Sequence, residues 1–242
     1  MPNMKILFSP LMIPFLSITI IFSYNVLNPT TSLIYGSATN SSTSYESPKG
    51  ESIAKWWDWW MGIPNDVHPV TNNNYADPES CSTMQQGPVW FLPDVVPGKG
   101  KIIINCNIPQ GKAVLLPLTT TVCERGIENL PDDELAACAD NIKTPLANMM
   151  VSVDGTTVPI NGSLVKTDFF NVTFPENPVT QFGTVKPGTY RGTATGYFLL
   201  LNDLSPGKHV IDLKVIDLLK GNEGPPPKFD PPREGSFNIN VQ

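Results

Sequence analysis

Short strand-like runs separated by tight turns constrain the fold of this chain most. Runs rich in β-branched and other apolar residues predict strands, and the chain of 242 residues also contains 25 prolines and 18 glycines. Pro187-Gly188 and Pro206-Gly207 suit type II turns, and Asp154-Gly155 suits a two-residue hairpin turn. The predicted strands are residues 89–92, 101–108, 113–122, 149–153, 156–160, 164–174, 193–201, 209–216 and 236–241.

Apolar and polar residues alternate cleanly in two of these runs. Such alternation is typical of strands in a sheet with one buried and one solvated face. The sequence therefore predicts a mainly β fold, a single β-sandwich of the jelly-roll or immunoglobulin-like type, over residues 51–242. The inward sets are Ile102, Ile104, Cys106 and Ile108 in one run, and Ile211, Leu213 and Val215 in the other.

Two short helices are predicted among the strands, at about 52–61 and 132–147. In the first, apolar residues recur at helical spacing, and Gly62 with Pro64 provides the stop. The second opens at Asp132 or Asp133, where acidic residues suit a helix N-terminus.

The first helix carries four tryptophans in five residues. A helical projection places Trp56, Trp57 and Trp60 on one face with Ile53 and Met61, which predicts a structural role in the core. Trp90 is predicted to be structural as well. Trp59 falls outside that face, next to Lys55, so it is the candidate binding residue, with Asp58 as a neighbouring acceptor. A sugar or a partner protein is the predicted contact.

The N-terminus has the pattern of an export signal. Lys5 precedes an apolar run over residues 6–22, and Gly36-Ser37-Ala38 offers small residues for cleavage. We therefore expect a signal peptide at 1–38, a flexible polar linker at 39–50, and a secreted or cell-surface protein. The alternative is an uncleaved membrane anchor, because an apolar stretch of about 20 residues can span a bilayer.

Export predicts that the four cysteines form disulfides. If residues 101–108 and 113–122 form one hairpin, Cys106 and Cys123 lie about 26 Å apart along it. A disulfide requires Cα atoms within about 7 Å. The expected pairs are then Cys81 with Cys106 and Cys123 with Cys138, in preference to the crossed arrangement. A zinc site is the rival, but the sequence has no Cys-x-x-Cys pair.

The charge balance excludes some partners. Removing residues 1–38 takes away Lys5 from the 16 bases and none of the 22 acids, which leaves a net charge of 15 − 22 = −7. A negative protein is not expected to bind nucleic acid or an anionic membrane. The two histidines, His68 and His209, lie far apart in sequence, and we predict no metal site and no cofactor.

Acidic residues crowd one region and support an alternative function. A secreted, glycosidase-like hydrolase would use two carboxylates between Asp58 and Asp94, and the same acids are candidate calcium ligands. The sequence has no Gly-x-Ser-x-Gly elbow for a serine nucleophile. The acids concerned are Asp58, Asp66, Asp77, Glu79 and Asp94.

Three Asn-x-Ser/Thr sequons begin at Asn40, Asn161 and Asn171. Asn171 alternates with Phe170 and Val172, so it is expected to point outward.

Four sequence motifs occur in a characteristic order. They are the Trp-rich helix, the block Gln86-Gly87-Pro88-Val89-Trp90-Phe91-Leu92, the segment from Ile108 to Ala113, and the late turn Leu204-Ser205-Pro206-Gly207-Lys208-His209. Together they resemble a family of exported, largely uncharacterised bacterial and archaeal proteins. The chain departs from the family pattern at His68, where asparagine is commoner. The resemblance implies export, one domain and a mostly β fold, but no reaction. We therefore predict an exported binding or envelope-associated module rather than an enzyme, with a glycan or an envelope protein as partner.

Overall fold

The computed structural model describes residues 43–72, 75–95, 100–140, 148–160, 164–179, 183–216 and 232–242. The chain divides into two units, Met1–Thr39 and Asn40–Gln242, and all described residues belong to the second. The predicted signal peptide and the sequons at Asn40 and Asn161 lie outside the described residues. Within the described part, no helix is both long and apolar enough to cross a membrane.

Two β-sheets pack against each other, which confirms the predicted mainly β sandwich with short helices. The strands are β1 (Ser44–Glu46), β2 (Val89–Phe91), β3 (Lys101–Ile108), β4 (Ala113–Glu124), β5 (Met149–Val153), β6 (Thr156–Val158), β7 (Val165–Lys166), β8 (Phe170–Phe174), β9 (Gly188–Asn202), β10 (Gly207–Val215) and β11 (Arg233–Val241). The helices are α1 (Gly50–Gly62), α2 (Pro69–Asn72), α3 (Pro78–Ser82) and α4 (Asp132–Ala139).

Sheet A is built around the long antiparallel pair of β4 and β9. Strand β2 joins the outer edge of β4 in parallel, while β8, β7 and β1 pair in series along the outer edge of β9. Sheet B has the order β3-β11-β10-β5-β6, in which only β3 and β11 run parallel. The β5–β6 hairpin turns at Asp154 and Gly155, both at positive φ, as the turn signal predicts.

The predicted hairpin between residues 101–108 and 113–122 is wrong. Strand β3 lies in sheet B and β4 in sheet A, so the connection between them crosses from one sheet to the other. The physical reason lies in the two apolar patterns. Strand β3 alternates buried and exposed residues, as at a half-buried sheet, whereas β4 is buried without interruption from Val114 to Thr119 and needs cover on both faces.

Helix α1 supplies the cover on one face of sheet A. The Trp56 ring lies 5.6 Å from the Phe198 ring, and Trp57 Nε1 donates to Thr120 Oγ1 at 3.1 Å. The strand register places Phe198 and Thr120 on the same face. Sheet B buries one face only, because Met150 on its other face is 62% exposed. The layers therefore run in the order helix α1, sheet A, sheet B.

Two predicted boundaries need correction, and two short helices were not predicted. Residues 44–46 of the predicted linker form β1, because this polar segment supplies backbone hydrogen bonds to β9 rather than a hydrophobic face. The helix predicted over 132–147 ends at Ala139, and Asp140 caps it by donating its N–H to the Ala136 carbonyl, while residues 141–147 lie outside the described part of the chain. The short helices α2 and α3 follow no apolar periodicity, so the sequence did not indicate them.

Both disulfides have the predicted pairing. Cys81 and Cys106 join α3 to β3 across a Cα separation of 5.4 Å, and Cys123 and Cys138 join β4 to α4 across 6.1 Å. Each is expected to contribute about 3 kcal/mol by restricting the unfolded chain. Although the hairpin premise was wrong, the pairing holds, because β3 and β4 diverge into separate sheets. The two disulfides indicate an oxidising environment.

His68 connects the end of α1 to the start of α2. The side chain is fully buried, and its ring lies 4.3 Å from the Trp60 ring. Nε2 hydrogen-bonds to the Trp60 carbonyl at 3.1 Å, and Nδ1 accepts from the Val70 N–H at 3.2 Å. Because Nδ1 accepts, the folded state requires neutral imidazole. Burial lowers the pKa of His68 to about 4, although the hydrogen bond to Trp60 acts in the opposite direction.

Replacement of His68 by asparagine is expected to remove one source of acid lability. The pKa of His68 is about 4 in the folded protein and about 6.5 when unfolded. The unfolded state therefore takes up a proton first, and stability is lost as pH falls from 6.5 to 4. The loss is about 3 kcal/mol in the wild type. Urea unfolding across this range should show a shallower pH slope for His68→Asn, and equal slopes in both proteins would contradict the assignment.

Candidate functional site

The four tryptophans of α1 are all buried. Trp56 and Trp60 are fully buried, Trp57 is 6% exposed and Trp59 is 8% exposed. Trp56 Nε1 donates to the Leu92 carbonyl at 2.8 Å, so the helix is fastened to the segment that continues β2. Trp90, on β2 itself, is also buried, at 7% exposure. The cluster is therefore part of the hydrophobic core.

The prediction that Trp59 lies outside the packing face is wrong. Its Nε1 donates to the Thr83 carbonyl at 2.9 Å, and its ring lies 5.6 Å from the Phe91 ring. A helical projection finds only one packing face, but α3 and the chain that follows it bury a second side of α1. Trp59 therefore offers no exposed ring face on which a sugar could stack.

A cleft of about 700 Å³ opens beside Trp59. Its walls are the solvent-facing stripe of α1, the segment from Met84 to Phe91, and the end of β8. Most of the lining surface is apolar, and only a few of the lining residues are polar. The lining residues are Ser52, Lys55, Asp58, Trp59, Gly62, Met84, Gln86, Gly87, Pro88, Val89, Phe91, Thr173 and Pro175. The Gln-Gly-Pro-Val-Trp-Phe-Leu block of the sequence thus forms one wall of this cleft.

Two lining residues have unusual backbone or side-chain positions. Met84 is 50% exposed and has a φ of 56°, a left-handed conformation that non-glycine residues seldom adopt. A methionine side chain is flexible and adapts to different apolar partners. Gly87 also has positive φ, and its carbonyl accepts from the ammonium of Lys112, which fixes this turn to the start of β4.

Asp58 has a structural partner at the rim of the cleft. Its Oδ1 accepts from the Thr173 N–H at 2.8 Å, so it satisfies a backbone donor at the outer edge of β8. The sequence prediction placed Asp58 beside Trp59 as an acceptor for a ligand. The structure brings the two together at the cleft, but one carboxylate oxygen is already engaged.

Substitution of Asp58 by alanine is expected to loosen the contact between α1 and β8. The variant leaves the Thr173 N–H without its acceptor, which should cost about 1 kcal/mol of unfolding free energy. Amide hydrogen exchange at Thr173 should accelerate, while exchange at Thr195 in the middle of β9 stays unchanged. An unchanged rate at Thr173 would show that the hydrogen bond does not hold this edge.

The outer edge of β2 is the second notable element of the cleft. The parallel ladder to β4 uses the Pro88 carbonyl and the Leu92 N–H. Backbone groups alternate between the two sides of a strand, so those of Val89 and Phe91 face outward. The Gln85 side chain meets Phe91: its Nε2 donates to the Phe91 carbonyl at 2.7 Å, and its Oε1 accepts from the Phe91 N–H at 3.0 Å. The sequence did not indicate this role for Gln85, because only the fold brings its amide alongside β2.

The acids proposed for a hydrolase serve other contacts. Asp77 caps α3 by accepting from the Glu79 N–H at 3.0 Å. Asp94 lies 3.5 Å from the guanidinium of Arg233, which is almost fully buried. Among the described residues that line the cleft, Asp58 is the single carboxylate. The described part of this cleft therefore lacks the two facing carboxylates that glycoside hydrolysis uses.

Among the residues that the structure describes, Glu124 is the one acid buried almost completely, at 1% exposure. Burial raises the pKa of its carboxyl, although hydrogen bonds from the Gly126 and Ile127 N–H groups act in the opposite direction. Because both oxygens accept from the turn that follows β4, the role of Glu124 is to cap that turn.

His209, Asp154 and Ser205 form a contact that resembles a catalytic triad. His209 Nδ1 lies 2.8 Å from Asp154 Oδ2, and Nε2 lies 3.3 Å from Ser205 Oγ. However, Nε2 lies closer, at 2.8 Å, to the Ser205 carbonyl, which can only accept. Nε2 is therefore protonated and cannot act as the base for the serine hydroxyl. The contact is an ion pair that fastens the β9–β10 turn to the β5–β6 turn.

The His209 ion pair predicts a stability that falls at alkaline pH. Burial alone would lower the pKa of His209, but hydrogen bonds to Asp154 and to the Ser205 carbonyl raise it above 6.5 overall. The stabilisation is then complete below pH 6.5 and disappears as pH rises through the folded pKa. The loss should be below about 1 kcal/mol, because Asp154 is half exposed.

Urea unfolding of His209→Gln should lack this alkaline loss, whereas His68→Asn should retain it. A wild type with no loss above pH 6.5 would show that His209 is neutral in the folded protein.

Three remaining features bear on metal binding and glycosylation. Cys123, Glu128 and Cys138 bring three ligand-type atoms within 4.8 Å, but both sulfurs belong to a disulfide and have no thiolate to offer a metal. Asn171 is exposed on β8 and points outward. His68 and His209 have separate hydrogen-bond partners and do not share a site.

No protein-family model matches this chain, and no curated protein is significantly similar to it in sequence. The resemblance to exported proteins therefore stays a prediction.

Proposed function

We propose that this protein is an exported binding module that works at the cell surface or outside the cell, with its ligand site in the cleft between α1, β2 and β8. The cleft itself carries the proposal. Its volume of about 700 Å³ lies within the range typical of ligand sites, which are concave, largely apolar and edged by a few polar groups.

Export is supported by two independent features. The disulfides Cys81–Cys106 and Cys123–Cys138 suit an oxidising compartment, and residues 1–38 have the composition of a signal peptide. One disulfide also bears on the cleft. Cys81 holds α3 to sheet B, and the wall from Met84 to Phe91 continues directly from α3. In an exported protein the Cys81–Cys106 bond is expected to be oxidised. This bond then anchors the wall to sheet B.

The lining favours a ligand with an apolar body and a small number of polar groups. Trp59 and Phe91 are almost fully buried and contribute apolar lining, and the Trp59 N–H is already bonded to the Thr83 carbonyl. Met84 adds a flexible side chain that can adjust to the ligand. The polar contacts available at the rim come from Ser52, Gln86 and the second oxygen of Asp58.

Hydrolysis is the weaker alternative. A glycosidase needs two carboxyl groups about 5 to 9.5 Å apart, one on each side of the bond that is cleaved. Asp58 is the only carboxylate among the described lining residues, and Asp77 and Asp94 are engaged elsewhere. Binding therefore accounts for the cleft better than catalysis does.

A cleft-filling variant tests this function. Ser52→Trp places a large ring in the cleft from the exposed side of α1, whereas Glu134→Trp places one on the exposed side of α4, outside the lining. The probe is 1-anilinonaphthalene-8-sulfonate, which fluoresces in apolar sites. We expect one saturable site in the wild type and in Glu134→Trp, and at least tenfold weaker binding in Ser52→Trp.

Equal binding to both variants would mean that the dye, and by implication a natural ligand, does not use this cleft. Circular dichroism and thermal unfolding of the two variants confirm that any difference comes from the cleft and not from misfolding.

A further inference from the structure

We infer that the occupant of the cleft is an extended peptide segment of another protein, which adds to sheet A as a strand beside β2. This inference rests on the function proposed above, because it names the ligand of the same site. It goes further in assigning the recognition to backbone hydrogen bonds at Val89.

Strand β2 lies at the edge of sheet A, and only part of the backbone on its outer side is hydrogen-bonded. The ladder to β4 engages Pro88 and Leu92, which leaves the N–H and C=O of Val89 and Phe91 directed away from β4. Gln85 satisfies both groups of Phe91. Within the described part of the chain, Val89 has no corresponding partner on that side. Val89 lines the cleft, so its unpaired groups face the space that a ligand would fill.

The contact of the Gln85 amide with Phe91 indicates which chemical groups can pair with the outer edge of β2. A primary amide that donates from nitrogen and accepts at oxygen reproduces the pattern of a peptide group in a neighbouring strand. An added strand would extend from the position of the Gln85 amide toward Val89. There the Val89 backbone offers it one donor and one acceptor. Strand addition of this kind draws its affinity from main-chain hydrogen bonds and its specificity from pockets for alternate side chains.

The remaining walls suit the side chains of such a strand. Every second residue of an added strand points to the same side, so one set would enter the apolar region formed by Trp59, Phe91 and Met84. The other set would face solvent. The α1 side has one charge of each sign, Asp58 and Lys55, and the ammonium of Lys55 also pairs with Glu51 at 2.6 Å. These charges complement a peptide with mixed polar groups. A lipid tail would leave the Val89 groups unpaired, and a sugar would find no exposed aromatic face.

The first test uses peptides selected from a random library displayed on phage, with the folded, disulfide-bonded protein as bait. The tightest peptide is then synthesised with a single N-methyl group at each position in turn. N-methylation removes one N–H, so the residue whose N–H donates to the Val89 carbonyl should be sensitive. Gln85 already occupies both groups of Phe91, so we expect a loss of about five- to tenfold at one position of the peptide and little change at the positions on either side, whose N–H groups point away from β2. A peptide in which no single position shows this loss would overturn strand addition.

The second test changes the edge itself. Val89→Pro removes the outward N–H but no bond of the ladder to β4, because that N–H points away from β4. Val89→Ala keeps the N–H and reports the loss from the side chain alone. We expect Val89→Pro to weaken peptide binding about tenfold more than Val89→Ala does. Equal weakening in the two variants would contradict the role assigned to the Val89 backbone.

The outcomes separate this inference from the proposed function. If peptides bind, are blocked by Ser52→Trp and have one N-methyl position that weakens binding, both proposals stand. If the dye binds in the cleft but no selected peptide is blocked by Ser52→Trp, the cleft is a ligand site and the peptide assignment is wrong. If Ser52→Trp affects neither dye nor peptide, both proposals fail. Because the N-methyl series leaves the protein unchanged, it decides the matter even if Val89→Pro does not fold.

Discussion

The packing of helix α1 on sheet A is the interaction on which the rest of the structure depends. Strands β4 and β9 are buried on both faces at their centre, so sheet A requires cover on the side away from sheet B. The indoles of α1 provide it. Each buried indole contributes about 4 to 6 kcal/mol of transfer free energy, taken as an upper estimate. The bond from Trp56 Nε1 to the Leu92 carbonyl fixes where the helix lies.

Strand edges are protected by contacts from α1 and from the segments on either side of α3. Asp58 satisfies the Thr173 N–H at the edge of β8, and the Gln85 amide satisfies Phe91 at the edge of β2. At the edge of β3, the Asn105 N–H donates to the Tyr75 carbonyl at 3.1 Å. Exposed edges invite unwanted pairing, and these contacts limit it. The cleft lies between Asp58 and Val89, where α1 no longer covers sheet A. The helix that completes the core therefore also forms one wall of the candidate site.

Much of the fold could be predicted from the sequence because local residue patterns indicate its strands, turns and helix ends. Alternation identified β3 and β10, the Asp154-Gly155 turn identified the hairpin of β5 and β6, and Gly62 with Pro64 marked the end of α1. The predictions that failed concern contacts between residues that are distant in the sequence. The placement of β3 and β4 in different sheets depends on which partners bury their faces. Trp59 was misassigned because its burial depends on Thr83 and Phe91, which follow α3 and are distant from α1 in the sequence.

The candidate site was only partly visible in the sequence. The sequence analysis named Trp59 and Asp58 as candidate binding residues, and both line the cleft, but it gave the block around Val89 no part in a site. The role of Gln85 and the unpaired edge at Val89 arise only when β2 pairs with β4 on one side alone. No residue pattern distinguishes such a glutamine from a solvated one.

Hydrogen exchange of the indole N–H groups, followed by NMR, tests the central claim that the tryptophan run is core and not a ligand platform. The account predicts that the indole protons of Trp56, Trp57 and Trp59 exchange slowly, because each is buried and donates to a protein oxygen. Protection for Trp56 should approach that of the most stable backbone amides of β9. Rapid exchange of the Trp56 and Trp59 protons in the folded protein would contradict the account.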